Sequence, residues 1–174
     1  MRPQTQRIAR FGLLTALALI LGLMDRAIPL SALLGGFVPG VKLGLANIIT
    51  VYAVYHYKAY ETAMIVAVRL LLGSIFSGNI TALLYSAAGS VLCLLGMLLL
   101  KNVIDERHLW LASVFGAVLH NTGQMIAAIA VTQTVQLIAY YPFLLVSGCL
   151  AGAFTGLCAQ LIIPRLQKIK PKTK

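Results

Sequence analysis

Carboxylates are nearly missing from this chain. Only Asp25, Glu61, Asp105 and Glu106 occur in 174 residues, so a carboxylate-rich metal cage cannot be assembled from it. The three cysteines, Cys93, Cys149 and Cys158, fall inside apolar runs with no metal-ligand spacing and no disulfide framework, and read as small hydrophobes. No G-x-x-x-x-G-K-[ST] stretch is present, which removes the usual phosphate cradle of a nucleotide-hydrolysing protein. Low-complexity tracts, a soluble linker and a convincing internal repeat are also missing. Charge of either sign is scarce, at 10% of residues, while 60% are hydrophobic and the mean hydropathy is +0.91. That composition lies far outside the soluble range and marks an integral membrane protein.

Apolar runs of about 20 residues, each able to cross a hydrocarbon core of roughly 30 Å, recur along the chain. They predict an all-α polytopic bundle, a single membrane domain over 1–174, with six spans near 9–29, 40–57, 60–77, 80–100, 109–131 and 142–163 and a basic tail over 164–174. The N-terminal stretch imitates a secretory signal, with Arg2, Arg7 and Arg10 ahead of an apolar run. It lacks a small-x-small cleavage site at the end of that run and reads as the first span.

The formal net charge of +10 follows topology rather than a nucleic acid partner. With both termini in the cytoplasm, that side receives Arg2, Arg7, Arg10, Lys58, Lys101, Arg107, Arg165, Lys168, Lys170, Lys172 and Lys174, against Arg26 and Lys42 outside, with Arg69 within a span. This is a strong positive-inside signal. Tyr52, Tyr55, Tyr57, Tyr60 and Trp110 fall near the inner interface, Tyr140 and Tyr141 near the outer one. The longest outward connection, residues 30–39, is apolar and glycine-rich and is expected to lie over the bundle as a lid or plug.

Small residues matter because helices in lipid associate largely through close backbone approach. Gly148, Gly152 and Gly156 recur at i, i+4, i+8 in the last span, beside a second row of Ser147, Ala151, Thr155 and Ala159. In the first span Gly12 pairs with Ala16, and Ala18 with Gly22. Packing inside the bundle or a homodimer, and docking of a different membrane protein, both fit such spacing.

Polar residues within the spans are costly and must avoid lipid. Arg69 sits near the centre of the third span, where a guanidinium costs about 2.5–3.5 kcal/mol on insertion scales. Its counter-charge is either Asp25 or an anionic group on a ligand. His120, Asn121 and Gln124 cluster in the fifth span beside Gly116 and Gly123, either satisfied by neighbouring backbone or forming a pocket. In the stretch FVPGVKLGLANII, Pro39 and Gly40 open the second helix, Lys42 adds charge to its first turn, and Gly40, Gly44 and Asn47 share a face. A helix mouth of this kind suits an anionic or strongly polar ligand, unless Lys42 only snorkels and the glycines only pack. Ser74, Ser77 and Asn79 are expected to extend the same rim.

The segments PGVKLGLANIITVYAV, VRLLLGSIFSGN, SAAGSVLCLLGMLLLK and GAVLHNTGQMIAA together resemble the bacterial Gx transporter family, also known as heptaprenyl diphosphate synthase component I. The likeness covers about residues 8 to 165. More distantly, the layout resembles the substrate-binding S components of energy-coupling factor (ECF) transporters. That likeness implies capture of a vitamin-, flavin- or isoprenoid-precursor-like solute from outside, under a loop between the first two helices. It further implies docking on a transmembrane coupling protein driven by two ATPases through a small-residue face of the first helix, here Gly12, Ala16, Ala18 and Gly22. The residues expected to bind solute are Lys42, Asn47, Arg69, Asn79, His120, Asn121 and Gln124. No catalytic residue, metal or cofactor is implied by the residues themselves, since prenyl transfer needs aspartate-rich clusters holding Mg²⁺ and only Asp105 and Glu106 stand together. The remaining expectations are an accessory subunit of polyprenyl diphosphate synthesis and a membrane partner of a flavin or quinone redox system. The expected location is the bacterial cytoplasmic membrane.

Overall fold

A computed structural model describes residues 3–27, 44–105 and 108–168. Among the described residues six α-helices follow one another: α1 (Pro3–Ala27), α2 (Leu45–His56), α3 (Ala59–Ser77), α4 (Ile80–Leu100), α5 (Leu109–Thr132) and α6 (Tyr141–Lys168). A 3₁₀ turn over Val135–Tyr140 leads into α6. No strand occurs among the described residues. Five helical segments are long and apolar enough to cross a membrane, and α2 is a shorter apolar helix of 12 residues. The chain is thus an all-helical, membrane-type bundle.

The helix ends have local causes. Asn79 caps α4 by accepting the Ala82 N–H at 2.8 Å, and Gly78 ends α3 in the left-handed region at φ 62°. Glu61 reaches back from the first turn of α3 to accept the Lys58 N–H at 3.0 Å. The start of α2 differs from the expected position near residue 40. Gly44 adopts φ 71°, a left-handed conformation that cannot continue a helix, so regular hydrogen bonding begins at Leu45. Gly44 and Asn47 therefore do not form one helical face, although both remain at the mouth of α2. Lys42, Pro39, Gly40 and the expected lid over 30–39 lie outside the described residues.

The short helix is the hub of the bundle. It touches all five other helices, and its Val51, Ala53 and Val54 are fully buried. Around it, Cys93 and Met97 of α4, Leu109 and Ala112 of α5 and Ala159 of α6 complete a tight apolar core. The tightest helix pairs are α4 with α5 and α5 with α6, because α5 is small on both sides. Toward α4, a methyl at Gly123 would lie 2.7 Å from the Ala88 carbonyl oxygen and 2.8 Å from Gly89 Cα. Toward α6, a methyl at Gly152 would lie 2.8 Å from Val114 Cα, while Gly148 faces Asn121 and Gly156 faces Trp110. The three glycines of α6 are thus spent on α5 within the chain. Polar ties lie along the same seam: Ser113 and Thr155 share a hydrogen bond of 3.1 Å, Asn121 donates to the Leu144 carbonyl at 2.7 Å, and Thr122 meets the Tyr141 hydroxyl at 2.6 Å.

The row on α1 divides. Ala18 is buried and Gly22 faces Ala46 of α2, whereas Gly12 and Ala16 lie on the outside, with nothing within 4 Å of a methyl built on Gly12. Ala18 and Gly22 are occupied by the fold and cannot form an open docking face, which corrects the expectation for those two positions. At the opposite end from the cavity described below, Tyr52 stacks on His56 with centroids 4.5 Å apart, and Tyr55 donates to the Ile104 carbonyl at 3.0 Å. Tyr55 thereby ties α2 to the link between α4 and α5.

A clash of this kind has a measurable cost. Gly123→Leu should overpack the α4–α5 seam by about 1–3 kcal/mol, lowering the thermal midpoint of the detergent-solubilised protein by roughly 5–10 °C at this chain length. Gly12→Leu, in open space, should leave the midpoint unchanged. Fluorescence-detected melting of both variants checks the contrast.

Candidate functional site

A cavity of about 130 Å³ lies among all six helices. Its wall is built from the last turns of α1, the mouth of α2, the middle of α3, the second turn of α4, the later half of α5 and the first half of α6. In an up-and-down bundle these segments all lie toward the end opposite the helical start of α1, so the cavity sits toward that end of the bundle. Leu19, Leu23, Leu70 and Leu144 supply apolar wall between the polar groups.

Five of the residues expected to bind solute meet here: Asn47, Arg69, His120, Asn121 and Gln124. Arg69 projects from the mid-helix position of α3 and is 8% exposed. Placing a guanidinium there is tolerable only because the cavity and its polar neighbours replace lipid around it. Asp25, 7% exposed, stands on the same wall, and its Oδ2 accepts the Gly44 N–H at 2.9 Å. That bond ties the end of α1 to the mouth of α2 across the 28–43 segment and anchors the left-handed Gly44. His120 and Gln124 lie one helical turn apart on α5, where Gly89 of α4 leaves them room, since a methyl there would come 2.8 Å from Gln124 Cγ. The Asn121 amide nitrogen is committed to the Leu144 carbonyl. By contrast, the side chains of Asn47, Gln124 and Ser86 hydrogen-bond to none of the described residues and are available to whatever fills the cavity.

Asn79 is not part of this wall. Its carboxamide is engaged as the α4 cap at the exposed α3–α4 turn. Ser74 and Ser77 likewise return their hydroxyls to the Leu71 and Ser74 carbonyls of their own helix, at 2.7 Å and 3.2 Å. The physical reason is the turn itself, which absorbs short polar side chains to satisfy the end of α3 and the start of α4. Lys42 lies outside the described residues.

Other wall residues were not singled out for binding by the sequence. Ser147, Ala151 and Thr155 line the cavity with Gly148 and Gly152, so the second small row of α6 borders the cavity rather than serving packing alone. Hydroxyls at i, i+8 within that row are the signal that could have shown it. Ser86 of α4, one turn before the buried Ser90, was not singled out either. Among the described residues no three His, Cys, Asp or Glu side chains gather as metal ligands. The wall offers amides, hydroxyls, an imidazole, one guanidinium and one carboxylate: a set that recognises polar groups by hydrogen bonding and charge.

Separating the cap from the cavity yields a prediction. Asn79→Ala should cost about 1 kcal/mol of stability, whereas Gln124→Ala, which removes no hydrogen bond to the described residues, should change melting little. Thermal melting of both variants in the same detergent tests the contrast.

Comparison with curated proteins gave no match, and comparison with solved structures gave none either. Comparison with protein-family models matches residues 14–162 to the family described as heptaprenyl diphosphate synthase component I. The matched region runs from the first helix into the last and includes the whole cavity wall, so the chain belongs to the heptaprenyl diphosphate synthase component I family.

Proposed function

We propose that this protein is a substrate-binding membrane subunit that captures a small polar organic solute from the outer side and takes part in its uptake, without an ATPase or a catalytic step of its own. The observation that carries the reading is the convergence of Arg69, Asp25, Asn47, His120 and Gln124, from four different helices, on one cavity inside a bundle whose exterior is apolar. Polar groups at membrane depth are expensive, and a fold that gathers them round a space is suited to a solute. The asymmetry of Lys and Arg along the chain supports a cytoplasmic position for both termini, with the cavity in the outer half. In this reading the protein resides in the bacterial cytoplasmic membrane. A transmembrane coupling protein with two ATPase subunits, as used by energy-coupling factor transporters, would provide the energy. Of the four small residues expected to dock, Gly12 and Ala16 are the two left exposed for such a contact.

A second reading follows from the family description, which names a component of heptaprenyl diphosphate synthase. An accessory membrane subunit would then supply the product's lipid environment while a partner performs the chemistry. The described residues place Asp105 at the exposed α4–α5 turn, away from the cavity wall. Magnesium-dependent chain elongation by the purified protein, alone or with a partner synthase, would favour this second reading.

Native mass spectrometry after mild detergent extraction should find a small organic molecule retained by the wild-type protein. Arg69→Gln should retain about tenfold less or lower, for the loss of one charge-assisted hydrogen bond worth about 1.5–3 kcal/mol, while still eluting as a monodisperse species. Equal retention would place the solute elsewhere.

A further inference from the structure

Helix α4 carries two serines one turn apart on its inward side, Ser86 and Ser90. Ser86 lines the cavity, and Ser90, one turn deeper, is 5% exposed. The contacts around it fix its level in the bundle. Gly89 packs on His120 and Gln124 of α5, and Gly116 of α5 faces Cys93 and Met97. Ser90 falls between these two contacts, level with Ala117 and His120, which are themselves wall residues. On α5 and α6 the wall thus runs as deep as Ala117 and Thr155, whereas on α4 it stops a turn short, at Ser86.

A hydroxyl within a membrane helix ordinarily returns to the carbonyl three or four residues back. Thr50, Thr62, Thr122, Ser147 and Thr155 all do so. Ser90 does not: its Oγ is buried and hydrogen-bonds to none of the described residues. Burying a hydroxyl without a partner costs at least as much as losing a hydrogen bond, and alanine would fill nearly the same volume without that cost. The other deep hydroxyl of the wall, Thr155, is already engaged with Ser113 and the Ala151 carbonyl. Side chains one turn apart stand about 5–6 Å apart at Cβ, a gap that a single oxygen or nitrogen spans with two hydrogen bonds of about 2.8 Å.

We infer that the solute site continues past Ser86 to Ser90, and that these two hydroxyls hold the innermost hydrogen-bonding oxygen or nitrogen of the solute. The inference rests on the reading of the cavity as a solute site and adds a binding residue at its deep end. It also orients the solute: a polar end, and not a hydrocarbon tail, leads into the bundle.

Ser86→Cys and Ser90→Cys in the full-length protein, held in lipid nanodiscs, test the extension with 2-hydroxyethyl methanethiosulfonate, a small neutral reagent. The thiolate is the reactive form; it attacks the sulfenyl sulfur, forms a mixed disulfide and releases methanesulfinate, so reaction reports a polar space that the reagent reaches. Peptide mass mapping separates each introduced thiol from the native Cys93. Both should be modified. An unmodified thiol in Ser90→Cys overturns the inference, and Ser86→Cys then decides the uptake reading: if it is modified the cavity stands as a site that ends at Ser86, and if it is not, both fail. Ser90→Ala supplies an independent measurement. Stripped of solute it should melt no lower than the wild type, while native mass spectrometry should find about three- to tenfold less of the co-purified small molecule. Retention equal to that of the wild type marks the hydroxyl as structural and overturns the inference, whatever the melting point. If a Cys variant does not fold, Ser90→Ala decides; if no small molecule co-purifies with the wild type, the thiol modification decides.

Discussion

A guanidinium on the middle turn of a membrane helix has to be shielded from hydrocarbon, and much of this bundle is arranged round that requirement. Arg69 cannot snorkel to either surface from the centre of α3, so the neighbouring helices must bring it a polar environment. They do so with side chains that are themselves unwelcome in lipid: Asp25 from α1, Asn47 from α2, and His120 and Gln124 from α5. Each of these would be costly alone. Gathered round one space they offset one another's desolvation, and the price of assembling them is a cavity instead of a sealed core.

The bundle meets this demand by concentrating its close packing elsewhere. Helix α5 is flanked by bare backbone on two sides, Gly89 and Gly123 toward α4 and Gly148, Gly152 and Gly156 toward α6, so α4, α5 and α6 form a stiff three-helix wall. Against that wall α2 is buried on every side, and α1 and α3 complete the enclosure. The helix α2 is short, and its first turn opens at Leu45 behind the left-handed Gly44, on the cavity wall. The hydrogen bond from the Gly44 N–H to Asp25 then holds that mouth to the end of α1.

Seen this way, the residues divide by the work they do. Glycines, alanines and the Ser113–Thr155 pair bring helices together, and their loss is felt as stability. The amides, imidazole and charges face the space, and their loss is felt in what the space holds. Asn79 illustrates how the two classes are confused in a linear reading. It looks like a rim residue beside Ser74 and Ser77, but the geometry of a helix–turn–helix link captures all three for local hydrogen bonds.

Hydropathy and length alone determined the membrane class, the helical fold and most helix limits, because a segment in hydrocarbon must satisfy its own backbone and few structures achieve that. α4 begins and ends where the apolar run does, and α3, α5 and α6 start within a residue of it. The inward orientation of Arg69, His120 and Gln124 was equally legible, since lipid admits no other. What only the tertiary structure decided was partnership: that Ala18 is buried and Gly22 faces α2, that the second small row of α6 lines a cavity, and that Asp25 shares a wall with Arg69. Spacing along a helix specifies which residues share a face. Which neighbour covers that face depends on how several helices pack at once, and no single stretch of sequence contains that information.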